Sequence, residues 1–408
     1  MSDARLEKGA RKLLAKDGGV VRRPLTNGRE VDVAFVRTGK KKRIPVVIAP
    51  GRPGWASVLP YQGFRKLAAK RGLDVIMVEH RGVGLSRADV AGELLSESDV
   101  TVQAAADDIA AVLDTLGVDK AVVAGSSYGS YLAQVFAVRH PEKVESLVLD
   151  SPMLSAEGDL EMVRSYRRAL LWDGSSAAAD TAGTAEVAGL IRQLAQKGED
   201  SAELAHVVQV VYEFAGVETL TTLLKEILAG RMRWLWKRIC KMGSGEMDGE
   251  GMAYFVEPKL VRGISFGQLG YGLPSDGQPL DPQPHMLKHA GDAPEFKGDP
   301  VNLEAELSGY SWPTVVMSGE RDLRTPRTVA EKIVSSVQRG TLIPIADTGH
   351  SMIDSHQLAV IEVVRGVVDS GEHRLAMHAD HFTVLPRKGT SGKIGKVLST
   401  IVRVRARS

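Results

Sequence analysis

The chain has 408 residues, of which 43% are hydrophobic and 25% charged, as is usual for a globular protein with a buried core. Its 52 Lys and Arg nearly balance its 50 Asp and Glu, and the net charge of +2 argues against a dedicated nucleic-acid binder. A single cysteine, Cys240, excludes an internal disulfide and a Cys-rich metal site. No long apolar run and no signal-peptide pattern is seen, so we expect a cytoplasmic protein without a membrane span.

Short apolar runs that alternate with helical patterns predict a mostly parallel sheet with helices on both faces. The predicted strands are rich in β-branched residues and end at turn signals: 43–50, 73–80, 120–125, 144–150, 312–319 and 341–346. Helices are predicted at 102–116, 128–140, 328–337 and 351–368. In the first helix, Asp107 and Asp108 are expected to face away from the apolar side.

The alternation stops after Asp150 and resumes at Trp312, and the sequence between them is largely helical, then rich in Gly and Pro. This pattern predicts a cap inserted between two strands of one sheet. The C-terminal segment carries seven Lys and Arg after residue 386, and we expect it to be loose or solvated, with a weak contact to an anionic partner as the alternative. The predicted divisions are a core in two parts (1–154 and 311–371), a helical cap (155–310) and a basic C-terminal tail (372–408).

A candidate nucleophile lies between the third predicted strand and the helix that follows it. Gly125-Ser-Ser-Tyr-Gly129 fits the pattern Gly-x-Ser-x-Gly, whose sharp turn lifts the middle serine out of the sheet. Glycines flank that serine because a side chain would clash with the backbone in so tight a bend. The N-terminus of the helix also faces an anion that forms at Ser127. Ser127 is therefore the predicted nucleophile.

A serine nucleophile needs a base and a third group that holds the base, and the chain order serine, acid, histidine narrows the choice. His350 follows the last predicted strand and is the expected base, whereas His356 lies within a predicted helix and is expected to be structural. Asp322 is the preferred acid because it lies on a loop between a strand and a helix. Asp150, at the end of an earlier strand, is its rival.

Acyl transfer also needs two N–H groups that bind the oxyanion. We expect one from the backbone of Tyr128, after the nucleophile, and the other from the backbone of Arg52, in the loop Pro50-Gly-Arg-Pro-Gly54. Such a mechanism requires no metal and no organic cofactor. The spacing of His285 and His289 suits two metal ligands on a helix, but no third ligand is evident, so we predict no metal site.

Together these motifs resemble those of α/β-hydrolases with a cap, and they are most similar to proline iminopeptidases and tripeptidyl aminopeptidases. The resemblance covers about residues 31–155 and 311–371 and implies the α/β-hydrolase fold, with Ser127, Asp322 and His350 cleaving residues from peptide N-termini. These families typically have Gly-Gly-Pro-Gly in the oxyanion loop, where this chain has Arg52 in place of the second glycine. The matching motifs are Pro50-Gly-Arg-Pro-Gly54, Glu79-His-Arg-Gly-Val-Gly-Leu-Ser86, Gly125-Ser-Ser-Tyr-Gly-Ser130, Gly319-Glu-Arg-Asp322 and Gly349-His350.

The first hypothesis is therefore an aminopeptidase that acts on small peptide or amide substrates. A carboxylic ester, thioester or lactone hydrolase is the alternative, because such enzymes share nearly all these motifs, and a non-catalytic ligand receptor on the same fold is a further one. An aminopeptidase would need cap carboxylates to hold the substrate's ammonium group. The candidates, none of which lies in a recognisable motif, are Glu213, Glu226, Glu257 and the acidic run Glu246, Asp248 and Glu250.

Overall fold

A single eight-stranded sheet organises the computed structural model, which describes residues 2–175, 183–243, 252, 254–389 and 391–406. Its strands are β1 (Gly18–Pro24), β2 (Glu30–Thr38), β3 (Val46–Ala49), β4 (Val75–Val78), β5 (Ala121–Ser126), β6 (Val144–Asp150), β7 (Thr314–Gly319) and β8 (Gly340–Ile345). The strand order is β1-β2-β4-β3-β5-β6-β7-β8. β2 is antiparallel to both β1 and β4, and the other neighbours are parallel.

Helices cover both faces of this sheet and fill the segment between β6 and β7. They are α1 (Asp3–Asp17), α2 (Gln62–Lys70), α3 (Val102–Thr115), α4 (Tyr128–Arg139), α5 (Ala156–Leu171), α6 (Thr184–Gln196), α7 (Ser201–Leu228), α8 (Arg233–Cys240), α9 (Pro258–Gly267), α10 (Gln283–Leu287), α11 (Leu303–Glu306), α12 (Arg327–Ser336), α13 (Met352–Ser355), α14 (Gln357–Val368), α15 (Glu372–Leu375), α16 (Ala379–Val384) and α17 (Ile394–Ala406). The predicted mostly parallel sheet with helices on both faces is confirmed.

The central strands are apolar throughout because both of their faces are buried. In β3, Val47 and Ala49 belong to one apolar core, whereas Val46 and Ile48 belong to the core on the opposite face. Side chains alternate between the two faces of a strand, so burial on both sides requires a continuous apolar run. This is the pattern from which these strands were predicted.

The residues between β6 and β7, 151–313, are called the insertion below. Its described part holds α5 to α11 and contains no strand. Leu170, Val211 and Trp236, from three of its helices, share an apolar core separate from the two cores of the sheet. The helical character of the predicted cap is therefore present, while the domain boundaries stay a prediction.

α7 qualifies the expectation that no segment suits a membrane span. Among the described residues, this helix alone has the length and hydropathy of a membrane-crossing helix. It bends at Gly216, where φ is 78°, and buries polar side chains including Gln209 and Glu213. α7 packs against α6, α8 and α17, as a core helix does.

The C-terminal segment is not loose as expected, at least over residues 391–406. α17 packs against α7, and its residues Leu398 and Val402 are buried in the core of the insertion. These two side chains are four positions apart, so they lie on one face of the helix. The prediction was wrong because it rested on the basic charges of this segment and did not take account of the apolar face formed by Leu398 and Val402.

Asp108 also differs from its expected position on the outer side of α3. Its carboxylate is buried, 2.6 Å from Nη2 of Arg81 and 3.0 Å from Nε of Arg23. Arg81 lies in the loop after β4, and Arg23 lies in β1. Both are distant from Asp108 in the sequence, so the sequence does not show that Asp108 has buried ion-pair partners. Asp107 does lie towards the surface, where it pairs with Arg139.

Candidate active site

The three side chains predicted as nucleophile, base and acid lie in hydrogen-bond contact. His350 Nε2 is 2.8 Å from Ser127 Oγ, and His350 Nδ1 is 3.1 and 3.0 Å from the two carboxylate oxygens of Asp322. All three come from loops that follow strands, at the carboxyl edge of the parallel sheet. This line of contacts is the geometry in which an imidazole takes a proton from a serine and a carboxylate orients the imidazole.

Ser127 occupies a strained turn between β5 and α4. Its backbone has φ 50° and ψ −122°, a conformation that L-residues rarely adopt and that is retained where the surroundings enforce it. A Cβ added at Gly125 would lie 2.0 Å from the carbonyl oxygen of Gly129, and one at Gly129 would lie 2.0 Å from that of Ala49. Both glycines are therefore required sterically.

Asp322 is held in place by its own loop. Its Oδ1 accepts hydrogen bonds of 2.9 Å from the backbone N–H groups of Arg324 and Thr325, and its Oδ2 accepts one of 3.0 Å from the Thr325 hydroxyl. Burial alone would raise the pKa of Asp322, but His350 and these donors outweigh it and lower that pKa to about 2. The carboxylate is therefore charged at neutral pH. No role was predicted for Thr325 from the sequence, although it lies only three residues after Asp322.

Asp150 and His356, the rivals considered for the acid and the base, have structural partners instead. Asp150 Oδ2 accepts hydrogen bonds of 2.7 Å from the Ser126 hydroxyl and 3.0 Å from the backbone N–H of Ile353. It thereby ties the end of β5 to α13 beneath the serine turn. His356 is buried, and its Nε2 is 3.3 Å from the carbonyl oxygen of Thr383.

The loop that carries Arg52 runs beside the serine. A Cβ added at Gly51 would lie 3.1 Å from Ser127 Cβ, and both Gly51 and Arg52 line the same cavity as Ser127. The Arg52 guanidinium lies 4.5 Å from the centre of the Trp55 ring. The backbone of the predicted oxyanion loop is therefore next to the nucleophile.

Glu79, which follows β4, fixes the far end of that loop. Its Oε2 accepts hydrogen bonds of 2.5 Å from the backbone N–H of Ser57 and 2.8 Å from that of Val58. The carboxyl is fully buried, and this desolvation raises its pKa. The sequence analysis quoted Glu79 only within a motif and gave it no role. The sequence does not show that Glu79 binds the backbone of Ser57 and Val58, because these residues lie more than 20 positions before it.

A cavity of about 430 Å³ opens in front of Ser127 and His350, between the sheet edge and the insertion. Most of its wall comes from α5, α7 and α9 and from the loops around α10. The polar side chains contributed by the insertion are Ser155, Asp159, Arg167, His206, Gln209, Ser265, Tyr271, Gln283 and His285. Among the described residues, no group of three or more His, Cys, Asp or Glu side chains is arranged to hold a metal ion.

Two of the histidines in this wall are stacked against each other. The rings of His206 and His285 are 3.9 Å apart between centroids, and the ring of His289 is 5.2 Å from that of His285. Burial lowers the pKa of His206 to about 4 and that of His285 to about 3. Both rings are therefore neutral at pH 7 and provide a flat, uncharged surface.

The described carboxylates among those considered for an ammonium group, Glu213, Glu226 and Glu257, do not gather at the serine. Glu213 is buried in an ion pair with Arg324, 3.0 Å from its Nη2, and Glu226 pairs with Arg231. Glu257 does not line the cavity. The acidic run of Glu246, Asp248 and Glu250 lies outside the described residues.

Asp159 is a buried cavity carboxyl with an unusual titration. Its Oδ2 accepts a 2.7 Å hydrogen bond from the backbone N–H of Leu154, whereas its Oδ1 is buried without a hydrogen-bond partner. Burial raises the pKa of Asp159 to about 7. An unfolded aspartate ionises near pH 4, so this group makes the folded state progressively less stable as the pH rises from about 4 to about 7.

We therefore expect Asp159→Asn to raise the melting temperature by roughly 5 °C at pH 8 and to change it little at pH 4. Melting curves between pH 4 and pH 8 measure this difference. Asp107→Asn is the matched control. Burial by itself would raise the pKa of Asp107, but Arg139 and His140 together outweigh it and lower that pKa, so the sign at pH 8 should reverse. A difference between wild type and Asp159→Asn that is independent of pH would contradict the account.

A family model described as the alpha/beta hydrolase fold matches residues 44–193, which include β3, β4, β5 and β6 and the serine turn. Proline iminopeptidase from Mycobacterium smegmatis, whose structure is solved, superposes over 89% of this chain and 100% of its own with a TM-score of 0.51 at 17% identity. This chain has the α/β-hydrolase fold.

The curated proteins that this chain resembles are named as hydrolases or peptidases, but their names differ. RutD of Azorhizobium caulinodans, named as a candidate carbamate hydrolase, is 27% identical over 246 residues, which are 59% of this chain and 86% of RutD. A proline iminopeptidase of Neisseria meningitidis is 33% identical over 117 residues, which are 29% of this chain and 35% of that protein. The predicted likeness to proline iminopeptidases is confirmed as a likeness, and the relatives support a hydrolase without fixing its substrate.

Proposed function

We propose that the protein is a serine hydrolase that works through an acyl-enzyme. The observation that carries this proposal is the unbroken contact from Ser127 Oγ to His350 Nε2 at 2.8 Å and from His350 Nδ1 to Asp322 at 3.0 Å. Binding alone does not need an aligned nucleophile, base and acid. This argues against the alternative of a non-catalytic receptor.

In the proposed first half-reaction, Ser127 Oγ forms a bond to the substrate carbonyl carbon while its proton passes to His350 Nε2. The bond from that carbon to the leaving oxygen or nitrogen then breaks, and His350 returns the proton to the leaving group. In the second half-reaction, the oxygen of a water molecule attacks the acyl carbon while the water gives a proton to His350. Ser127 Oγ leaves with that proton, and the carboxylic acid is released.

The oxyanion of each tetrahedral intermediate would be bound by the backbone N–H groups of Tyr128 and Arg52. Two observations support these donors. Tyr128 is the first residue of α4, so its N–H belongs to the free N-terminal turn of a helix. The backbone of the Arg52 loop reaches Ser127 closely enough that a Cβ at Gly51 would crowd Ser127 Cβ.

The charges that line the cavity favour esters over aminoacyl amides as substrates. An N-terminal ammonium needs a carboxylate near the nucleophile, and Glu213 already accepts from Arg324 and from the backbone N–H of Leu323. Arg167 and Arg324 instead present positive charge to this cavity. We therefore place a carboxylic ester hydrolase before an aminopeptidase, which reverses the order that the family resemblance implies.

The aminopeptidase remains the second candidate because of Asp159. The unpartnered Oδ1 of this residue belongs to a side chain that lines the cavity, where it is available to an ammonium group. The relative from Neisseria meningitidis, named as a proline iminopeptidase, also favours it. For such a substrate, Asp159→Asn would raise KM, whereas KM for a neutral ester would change little.

The two candidates are separated by a comparison of p-nitrophenyl esters of acetic and butyric acid with prolyl and alanyl p-nitroanilides. We expect kcat/KM for the better ester, corrected for its faster spontaneous hydrolysis, to exceed that for either anilide by at least tenfold. A preference for an anilide would establish the aminopeptidase instead. Turnover of neither class by a folded sample would contradict both enzymes.

The identity of the acid is tested by paired substitutions. Asp322→Asn should lower kcat by roughly 10⁴-fold, because the amide no longer holds the imidazole in the productive tautomer. Asp150→Asn should lower kcat of the folded protein far less, since Asp150 contacts Ser126 and Ile353 rather than His350. Steady-state kinetics with an ester measure both, and circular dichroism confirms folding. The reverse ranking would assign the acid to Asp150.

A further inference from the structure

Besides Arg52, which belongs to the predicted oxyanion loop, two arginines line the same cavity as the proposed nucleophile. Arg167 lies on α5 in the insertion, and Arg324 lies in the loop after β7, two residues beyond Asp322. Both line the cavity of about 430 Å³ that also contains Ser127 and His350. The proposed ester hydrolysis uses neither guanidinium. Arg167 and Arg324 are called the arginine pair below.

Arg167 is a buried cation without a carboxylate partner. The residue is 3% exposed, its Nε donates a 2.8 Å hydrogen bond to the carbonyl oxygen of Leu323, and its Nη2 donates one of 2.5 Å to Gln209 Oε1. Its third nitrogen, Nη1, has no hydrogen-bond partner among the described residues. Burial lowers the pKa of Arg167 to about 10, so the group stays charged at pH 7. A buried charge of this kind is costly unless an anion reaches it.

Arg324 is only partly neutralised. Its Nε and Nη2 lie 3.1 and 3.0 Å from Glu213 Oε2, and its side chain is 42% exposed, although the residue lines the cavity. Glu213 is thus the one described carboxylate in direct contact with the arginine pair. Two guanidinium groups therefore share one contacting carboxylate. Asp281 and Asp322 also favour the charged form of Arg167, but Asp281 is paired with Arg164 and Asp322 with His350.

The other carboxylates of the described cavity wall, Asp159 and Asp354, make no hydrogen bond or ion pair with the arginine pair. Asp159 and Arg167 are eight positions apart on α5, which separates their backbones by about 12 Å along the helix axis. Asp354 accepts hydrogen bonds of 2.9 Å from the Tyr61 and Ser351 hydroxyls. The stacked rings of His206 and His285 complete the wall.

We propose that the arginine pair binds a carboxylate carried by the substrate, remote from the reacting carbonyl. The Arg167 side chain is fixed by two hydrogen bonds and presents Nη1, and a fixed guanidinium is the group best suited to the geometry of a carboxylate. The neutral rings of His206 and His285 would pack against the part of the substrate between the carboxylate and the reacting carbonyl. The inference rests on the proposed hydrolase function and narrows it to esters that bear a free carboxylate.

Two series of esters test this proposal. In the first, ethyl monoesters of glutaric, adipic and pimelic acids are compared with ethyl esters of the monocarboxylic acids of equal length, so that the charge lies on the acyl side. In the second, acetyl esters of ω-hydroxy acids are compared with acetyl esters of alcohols of equal length, so that the charge lies on the alcohol side. Acid release in a pH-stat gives kcat/KM for each ester.

We expect at least one charged ester to exceed its neutral counterpart by tenfold or more in kcat/KM. Arg324→Gln and Arg167→Gln should each lower that ratio at least tenfold, mainly through a higher KM for the charged ester. Arg139→Gln is the control and should leave the ratio unchanged, because Arg139 pairs with Asp107 outside the cavity. Wild-type ratios of one or less in both series, or an unchanged ratio in Arg324→Gln, would overturn the proposal.

Binding separates this inference from the proposed function. Calorimetry with monoethyl adipate and Ser127→Ala measures affinity without turnover, and adding Arg324→Gln should weaken that affinity at least tenfold. If the wild type hydrolyses no ester but this difference in affinity is found, the hydrolase function fails and the carboxylate site stands. If neutral esters are hydrolysed and the charged ester binds no better than ethyl hexanoate, the site fails and the hydrolase stands.

Discussion

Ser127→Ala should lower kcat for any ester that the wild type hydrolyses by roughly 10⁴-fold or more, while the protein remains folded. The reason is that Ser127 Oγ is the atom 2.8 Å from His350 Nε2, and no other hydroxyl in the described site occupies that position. Removing one oxygen from a side chain that is 8% exposed should disturb the packing little. Steady-state kinetics and melting temperature, measured on the same sample, test both parts of this expectation.

His350→Gln should cause a loss of similar size, and the double variant should be little worse than either single one, because the two groups act as a unit. Ser335→Ala, on α12 at the protein surface, is the control and should keep wild-type kinetics. Wild-type turnover by purified Ser127→Ala would mean that another group attacks the substrate.

Gly129→Ala should be a strongly destabilising methyl addition at the site. Its Cβ would lie 2.0 Å from the carbonyl oxygen of Ala49 and 2.6 Å from that of Pro50. Both atoms belong to the backbone where β3 becomes the Arg52 loop, so relief requires β3 or α4 to move. We expect a loss of more than about 4 kcal/mol in unfolding free energy, which belongs to the exceptional class for single substitutions.

Gly63→Ala is the matched control for this experiment. Gly63 lies in the first turn of α2, and no atom is within 4 Å of its added Cβ. Alanine there should stabilise the protein by roughly 0.4–1 kcal/mol because it restricts the unfolded chain. Urea unfolding curves of both variants measure the contrast. Equal stability of Gly129→Ala and wild type would show that the serine turn is looser than these distances require.

The elements found by sequence analysis are those whose signal is local. The apolar runs of the central strands needed no partner to be recognised, since burial on both faces follows from their composition. Ser127 was recognisable for the same reason. Its two flanking glycines are needed to avoid backbone clashes, and the whole pattern lies within five residues. His350 and Asp322 followed once the chain order of the fold was assumed.

β1, at the antiparallel edge of the sheet, carried no such signal. This strand is at most half-buried, and Arg22 and Arg23 interrupt its short apolar run. Arg22 pairs with Asp32 across β2 at 2.6 Å, and Arg23 reaches Asp108 on α3. These partners lie 10 and 85 residues along the chain, so the sequence near β1 does not reveal them.

The substrate side of the cavity was equally hidden. α5 contains three arginines, Arg164, Arg167 and Arg168, and helical periodicity does not tell which of them meets a cavity. The orientation of Arg167 is set by the carbonyl of Leu323 and by Gln209, which are 156 and 42 positions away. A charged residue in a helix is by default assigned to the surface, and only the assembled insertion contradicts that default.

The central claim, an activated serine at position 127, is tested most directly by a fluorophosphonate probe. The purified wild-type protein is labelled, digested and analysed by mass spectrometry, and the labelled peptide is mapped. We expect a single modification on Ser127, absent in Ser127→Ala and much slower in His350→Ala. No modification of a folded wild-type sample, or a modification on a different serine, would contradict the claim.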